Sequence, residues 1–235
     1  ANCGYAPSSE HEAKQQLMLS PYLNLYGYPL ELDYSDIARL PTNGFVQIDA
    51  FCRVAPAPFE LPDKFRNRTS DQKLIYFSLG SMGNIDIELM KRIVSLLGTT
   101  RHQYIVSKGQ LGDKFELPEN CWGANSLPQT SILPLVDLVI THGGNNTVTE
   151  SFAYGKPMIV LPLFADQFDN AQRLHETGYG ARIEPYKYAE SELIQTIDKL
   201  LYDVKLKKKL ELAAKRIQES NSHEEFIDRL EKLIA

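Results

Sequence analysis

From Lys73 onward, short apolar runs alternate with amphipathic stretches, the pattern that builds a doubly wound parallel sheet of the α/β class. Leu74–Ser78, Gln103–Ser107, Asp137–Thr141, Pro157–Leu161 and Gly180–Ile183 have the length and apolar content of strands. Between and after them, Asp86–Leu97, Asn145–Tyr154, Gln167–Thr177, Glu190–Leu201, Lys205–Glu219 and His223–Ile234 carry helical spacing. Within Lys205–Glu219, Leu206, Leu210, Ala213 and Ile217 form the buried stripe, which turns Lys205, Lys207, Lys208 and Lys209 to solvent. Gly155 followed by Pro157 is a natural stop for the second helix. Upstream, Tyr22–Tyr26 and Phe45–Asp49 read as two strands, and the proline-rich stretch Ala55–Pro62 marks a linker. The expected organisation is a remnant of one domain over 1–54, a linker over 55–71, and a sheet domain over 72–235. No internal repeat or low-complexity tract interrupts it.

Composition narrows the function. With 235 residues, 43% of them hydrophobic, the chain can bury a full core. A net charge of −5 argues against a nucleic-acid surface, which needs a basic stripe. No window has the apolar length of a membrane span, and the N-terminus lacks the regions of a signal peptide. Cys3, Cys52 and Cys121 stand far apart without metal-ligand spacing and read as free thiols. Of two sequons, Asn67-Arg68-Thr69 and Asn145-Asn146-Thr147, the second falls in the densest motif of the chain, which favours a compartment without glycosylation, the cytoplasm. His11, His102, His175 and His223 have no carboxylate or serine at triad spacing.

The candidate chemistry lies where the apolar run Val136–Ile140 delivers His142, Gly143 and Gly144 to the start of a helix. Unpaired backbone N–H groups and the positive dipole end at such a point favour a diphosphate. Asn146 and Glu150, four residues apart, share one face of that helix. Ionised glutamate only accepts hydrogen bonds, which suits the hydroxyls of a ribose and repels phosphate. In open parallel sheets ligands bind at the carboxyl ends of the strands, where Gly80-Ser81, His142-Gly143-Gly144 and Asp166-Gln167 all fall. Each residue also has a structural reading: Asn146 and Asp166 as helix caps, Glu150 as a favourable charge near a helix start, Ser81 as a turn residue.

Several separated motifs resemble, in order, the donor-binding signature of the UDP-glycosyltransferases: Phe77-Ser78-Leu79-Gly80-Ser81, Leu127-Pro128-Gln129, Thr141-His142-Gly143-Gly144, Asn146-Thr147, Glu150, Gly155-Lys156-Pro157-Met158 and Asp166-Gln167. The resemblance covers about residues 72–235 and implies the Rossmann-like C-terminal domain of a GT-B glycosyltransferase. By resemblance, Ser81, His142, Gly144, Asn146 and Thr147 face the diphosphate and Glu150 the ribose. Gln129 lies on the uracil side, and Asp166 with Gln167 binds the sugar hydroxyls. Ser126 stands where many members carry a tryptophan that stacks on the base, and Trp122 lies four positions earlier.

The implied activity is transfer of a hexosyl group from a UDP-sugar to a small lipophilic acceptor, with inversion, no metal and no other cofactor. Family members use a general-base histidine near the start of the first domain, assisted by an acidic residue. Neither has a counterpart here, so the chain is expected to be a fragment that supplies the donor site and lacks the N-terminal domain that reads the acceptor. Two other readings stay open: a non-catalytic nucleotide-sugar-binding subunit completed by a partner chain, and a UDP-sugar epimerase on the same architecture. Gln167 leans weakly toward glucose.

Overall fold

The computed structural model describes residues 19–36, 44–49, 52, 53, 55 and 57–234. Cys3, His11 and Pro56, to which the sequence assigned thiol, histidine and linker readings, lie outside the described residues. The chain forms two compact units, Ala1–Tyr26 with Tyr34–Ile48 and Asn221–Ala235, and Gly27–Asp33 with Asp49–Ser220. The smaller contains the two-stranded sheet of β1 (Asn24–Gly27) and β2 (Phe45–Ile48), and a C-terminal helix, Ser222–Ile234. That helix packs on β2, and Arg229 Nη1 donates to the Phe45 carbonyl at 3.3 Å.

The larger unit is a six-stranded, all-parallel sheet. Its strands are β3 (Leu74–Ser78), β4 (Gln103–Ser107), β5 (Cys121–Ala124), β6 (Leu138–Thr141), β7 (Met158–Val160) and β8 (Gly180–Arg182). Their spatial order is β5-β4-β3-β6-β7-β8. The chain winds outward from β3 in one direction, then returns to the other side of β3 and winds outward again. This is the doubly wound order, with its switch point between β3 and β6. Helices fill the crossovers: α1 (Gly80–Gly83) and α2 (Ile87–Leu97) after β3, α3 (Gln129–Ile132) before β6, α4 (Asn145–Ala153) after it, and α5 (Gln167–Glu176) between β7 and β8. Then follow α6 (Glu190–Tyr202) and α7 (Val204–Gln218), with Ser222–Ile234 as α8.

Burial explains the strand pattern. Every residue of β3, β6 and β7 is buried, so both faces are covered and the strands read as continuous apolar runs rather than alternating ones. The helices keep the expected stripes: α7 buries Leu206, Leu210 and Ala213 while Lys205, Lys207, Lys208 and Lys209 are exposed. Lys209 is also used, its ammonium lying 3.8 Å from the centre of the Tyr179 ring and donating to the Thr177 carbonyl.

The structure departs from the sequence reading at several points, among them the short helix α3, which was not expected. Cys121–Ala124 is a strand, the outermost on its side, which an asparagine, a tryptophan and a glycine had hidden from an apolar-run criterion. Gly80-Ser81 begins a single helical turn instead of a simple loop, because Asn84 N–H closes onto the Gly80 carbonyl. The stretch over 57–71 is tied to the core: Phe65 is 1% exposed, and Phe59 and Leu61 pack against the core cluster.

Candidate functional site

The register of the central strands sets the site. Ser78 at the end of β3 pairs with Thr141 at the end of β6, so both chains leave the sheet side by side at the switch point. Two glycine turns therefore face each other. Gly80 has φ 70° and a Cβ there would stand 2.6 Å from the His142 imidazole; a Cβ on Gly144 would stand 2.7 Å from the same ring. The His142 ring thus lies close against two glycines, neither of which has room for a side chain. Gly143, at φ 89°, makes the turn itself, with Val160 2.5 Å from where a Cβ would be.

Burial pushes the His142 pKa below its ordinary 6.5, against a smaller opposing pull from Asp166. The ring is therefore neutral at pH 7, and the Thr141 hydroxyl stands 3.3 Å from Nδ1. Directly after it, α4 begins with Gly144 as N-cap, in extended conformation and without a side-chain cap. Asn146 is accordingly not the cap. An uncapped helix start leaves first-turn N–H groups looking for an acceptor.

These elements surround a cavity of about 690 Å³. Ser81, Gln129, His142, Gly144, Asn146, Thr147, Asp166 and Gln167 all line it, so eight of the nine residues singled out from the sequence meet in one place. Asp166 occupies the N-cap position of α5 but makes no cap bond; its Oδ2 accepts from Asn170 Nδ2 at 3.3 Å. Gln167 is 2% exposed, and its Oε1 accepts from the backbone N–H of Leu163 at 2.9 Å and Phe164 at 3.1 Å. It shapes the loop it borders. Ala165 in that loop has φ 53°, an uncommon conformation for a residue with a side chain. Asn170 Nδ2 reaches across to the Gly143 carbonyl at 2.8 Å and ties α5 to the glycine turn.

Glu150 is the exception among the nine. It is wholly buried and does not line the cavity. Its Oε1 accepts from Arg53 Nε at 2.7 Å, and Oε2 accepts from Arg53 Nη2 at 3.0 Å and from Gln129 Nε2 at 2.7 Å. Sequence reasoning passed over Arg53, which stands at a linker edge with no motif around it. Tyr76 and Asn84 were also missed. The Tyr76 ring lines the cavity, and burial raises its phenol pKa against the bonds from Ser78 and Ser107. Asn84 holds the end of β3 to the end of β4, accepting from Leu79 N–H at 3.1 Å and donating to the Ser107 carbonyl at 3.1 Å.

Trp122 does not line the cavity; it packs tilted on Phe59, ring centroids 5.7 Å apart, so it does not replace the aromatic that Ser126 lacks. Ser126 itself is on the cavity wall. Cys52 and Cys121 are unbridged, and burial, then the charge of Glu150, pushes the Cys52 thiol up to about 11. Among the described residues no cluster of three or more histidine, cysteine or acidic side chains could hold a metal ion, and no helix is long and apolar enough to cross a membrane.

The sequence model of the family described as "UDP-glucoronosyl and UDP-glucosyl transferase" matches residues 31–219, which take in the whole sheet and every cavity residue named above. The chain belongs to this family. Among the relatives of this chain is the NDP-glycosyltransferase YjiC of Bacillus subtilis (strain 168), 28% identical over 188 residues, or 78% of this chain and 48% of that one. A sterol 3-beta-glucosyltransferase of Vanderwaltozyma polyspora is 30% identical over 165 residues, 66% of this chain and 13% of that one. In structure, the glycotransferase of kitacinnamycin aligns with a TM-score of 0.73 at 23% identity, covering 85% of this chain and 51% of that one. The spinosyn rhamnosyltransferase SpnG complexed with thymidine diphosphate aligns with a TM-score of 0.66 at 22% identity, covering 85% and 54%. These likenesses identify the fold as that of GT-B glycosyltransferases. The chain spans about half the length of the bacterial relative and less of the fungal one.

Proposed function

We propose that this chain is the donor-binding lobe of a UDP-glycosyltransferase that moves a hexosyl group from a UDP-sugar to a small lipophilic acceptor with inversion. The observation that carries the reading is the uncapped start of α4, opening into the cavity at the switch point between Gly80-Ser81 and His142-Gly143-Gly144. The diphosphate lies against the N–H groups of that first turn, with His142, Ser81, Asn146 and Thr147 around it. As the bond to the sugar breaks, charge grows on the leaving diphosphate, and donors fixed by the fold stabilise it without reorganising. Neutral His142 serves there as a hydrogen-bonding group held in one orientation by Gly80 and Gly144. This electrostatic work is done without a metal or other cofactor.

Gln129, on the cavity wall, and Glu150, buried against it, mark the nucleoside end, and Asp166 with Gln167 the sugar end. The general base and the acceptor surface belong to a complementary domain outside this lobe, so the lobe alone binds donor and turns over little. The sequon at Asn145 supports a cytoplasmic protein, since Asn145 lines the cavity and a glycan there would fill it.

Calorimetric titration with UDP, UDP-glucose, GDP and inorganic pyrophosphate tests the reading. UDP is expected to bind more tightly than pyrophosphate and GDP not to bind, and Glu150→Ala should weaken UDP by about 1 kcal/mol through lost charged hydrogen bonds. Equal binding of GDP removes the uridine assignment. Release of free sugar or an epimerised donor without acceptor removes glycosyl transfer in favour of an epimerase or hydrolase.

A further inference from the structure

The carboxylate assigned to the ribose is already occupied. Arg53 forks onto Glu150 through Nε at 2.7 Å and Nη2 at 3.0 Å, and its backbone N–H points at the same Oε1 from 3.5 Å. Gln129 adds a third side-chain donor at 2.7 Å. The two partners differ in freedom. Gln129 is buried and also holds Thr147, its Nε2 3.4 Å from that hydroxyl. Arg53 lies outside any helix or strand, its side chain is 62% exposed, and it forms part of the cavity wall. Glu150 beneath it has no exposed surface.

We infer that Arg53 is a specificity-determining residue of the donor site: its guanidinium stands on Glu150 in place of the nucleotide's ribose hydroxyls, and a ribose binds there only by taking its position. The inference rests on the reading of Glu150 as the ribose partner. An ionised carboxylate offers about four acceptor directions; the side chains of Arg53 and Gln129 use three of them and the Arg53 backbone N–H faces the fourth. A hydroxyl therefore cannot simply be added; with no surface left on Glu150, something must leave, and Arg53 is the exposed partner that can swing into water. The exchange trades a forked, charge-assisted pair for neutral hydroxyl donors, so the ribose contributes less to affinity than it would at an unoccupied carboxylate. A guanidinium already largely hydrated pays little to leave, which keeps the exchange reversible. Arg53 thereby sets how much of the binding energy comes from the ribose and how much from the diphosphate.

The test is calorimetric titration of UDP, 2′-deoxy-UDP and inorganic pyrophosphate against the unmodified chain, Arg53→Ala and Arg53→Gln. Removing the guanidinium is expected to tighten UDP by about two- to fivefold, the scale of a partly exposed ion pair. Pyrophosphate should stay within about twofold, because it does not reach Glu150. The preference for UDP over 2′-deoxy-UDP should widen in both variants. Arg53→Gln keeps part of the stem and supplies the same reading if Arg53→Ala fails to fold. Unchanged or weaker UDP binding in both variants, with pyrophosphate unaffected, overturns the inference and leaves the donor site standing. UDP binding no better than pyrophosphate in the unmodified chain overturns the donor-site reading and this inference together.

Discussion

A tight constraint at the level of single residues is the close approach of the His142 ring to both Gly80 and Gly144. Gly80→Ala would set a methyl group 2.6 Å from the imidazole at a backbone with φ 70°. The expected outcome is a loss of about 1–3 kcal/mol of stability from backbone strain and displacement of the ring, together with weaker UDP binding, read by urea denaturation and calorimetry. His142 also carries a pH signature. Its folded pKa lies below the ordinary 6.5 because burial disfavours the imidazolium. The unfolded chain therefore binds the proton first, and stability is lost as pH falls below about 6.5 toward the folded value. The urea midpoint of the unmodified protein should drop more between pH 7.5 and pH 5.5 than that of His142→Asn; an equal drop would show that the ring titrates freely. Both residues were legible in the sequence, as a histidine and glycines at strand ends. That one glycine belonged to the motif after β3 and faces a histidine after β6 was not, since the contact depends on two strands distant in sequence, with Ser78 paired to Thr141, lying side by side.

Among elements, α4 and α5 both line the cavity and use their polar residues differently. The start of α4 is left without a side-chain cap, while α5 spends Gln167 on the preceding loop and Asn170 on the Gly143 carbonyl. Gln167→Ala removes the acceptor of two backbone N–H groups and is expected to cost about 1–3 kcal/mol, seen as a lower urea midpoint at unchanged slope. A residue used only by the sugar would leave the midpoint in place. The sequence pattern located both helices to within a residue or two. The same pattern suggested Asp166 as a capping side chain, and it makes no such bond, because its carboxylate turns to Asn170. Strand β5 escaped because an edge position needs only one well-covered neighbour, so its sequence carries little apolar signal.

For the larger unit as a whole, the switch point couples ligand binding to folding. The cavity draws on segments after β3, β4, β5, β6 and β7, so it exists only when the complete sheet is assembled. A nucleotide that binds there stabilises the folded form by mass action. UDP at a hundredfold excess over its Kd should add about 2.7 kcal/mol, measurable as a concentration-dependent rise in melting temperature that GDP does not produce.

The sequence by itself determined the α/β class, nearly every element, and eight residues that converge on one cavity, because those properties follow from local spacing: apolar runs make strands, stripes make helices, and glycines at strand ends make turns that open onto helix starts. Tertiary structure decided who touches whom. The spacing of Asn146 and Glu150 on one helical face suggested a carboxylate open to a ligand, whereas the fold buries Glu150 beneath Arg53, a residue 97 positions away. Helical periodicity specifies which residues share a face, but what covers that face depends on packing between segments distant in the chain, and a single unclustered charge leaves no periodic trace of its partner.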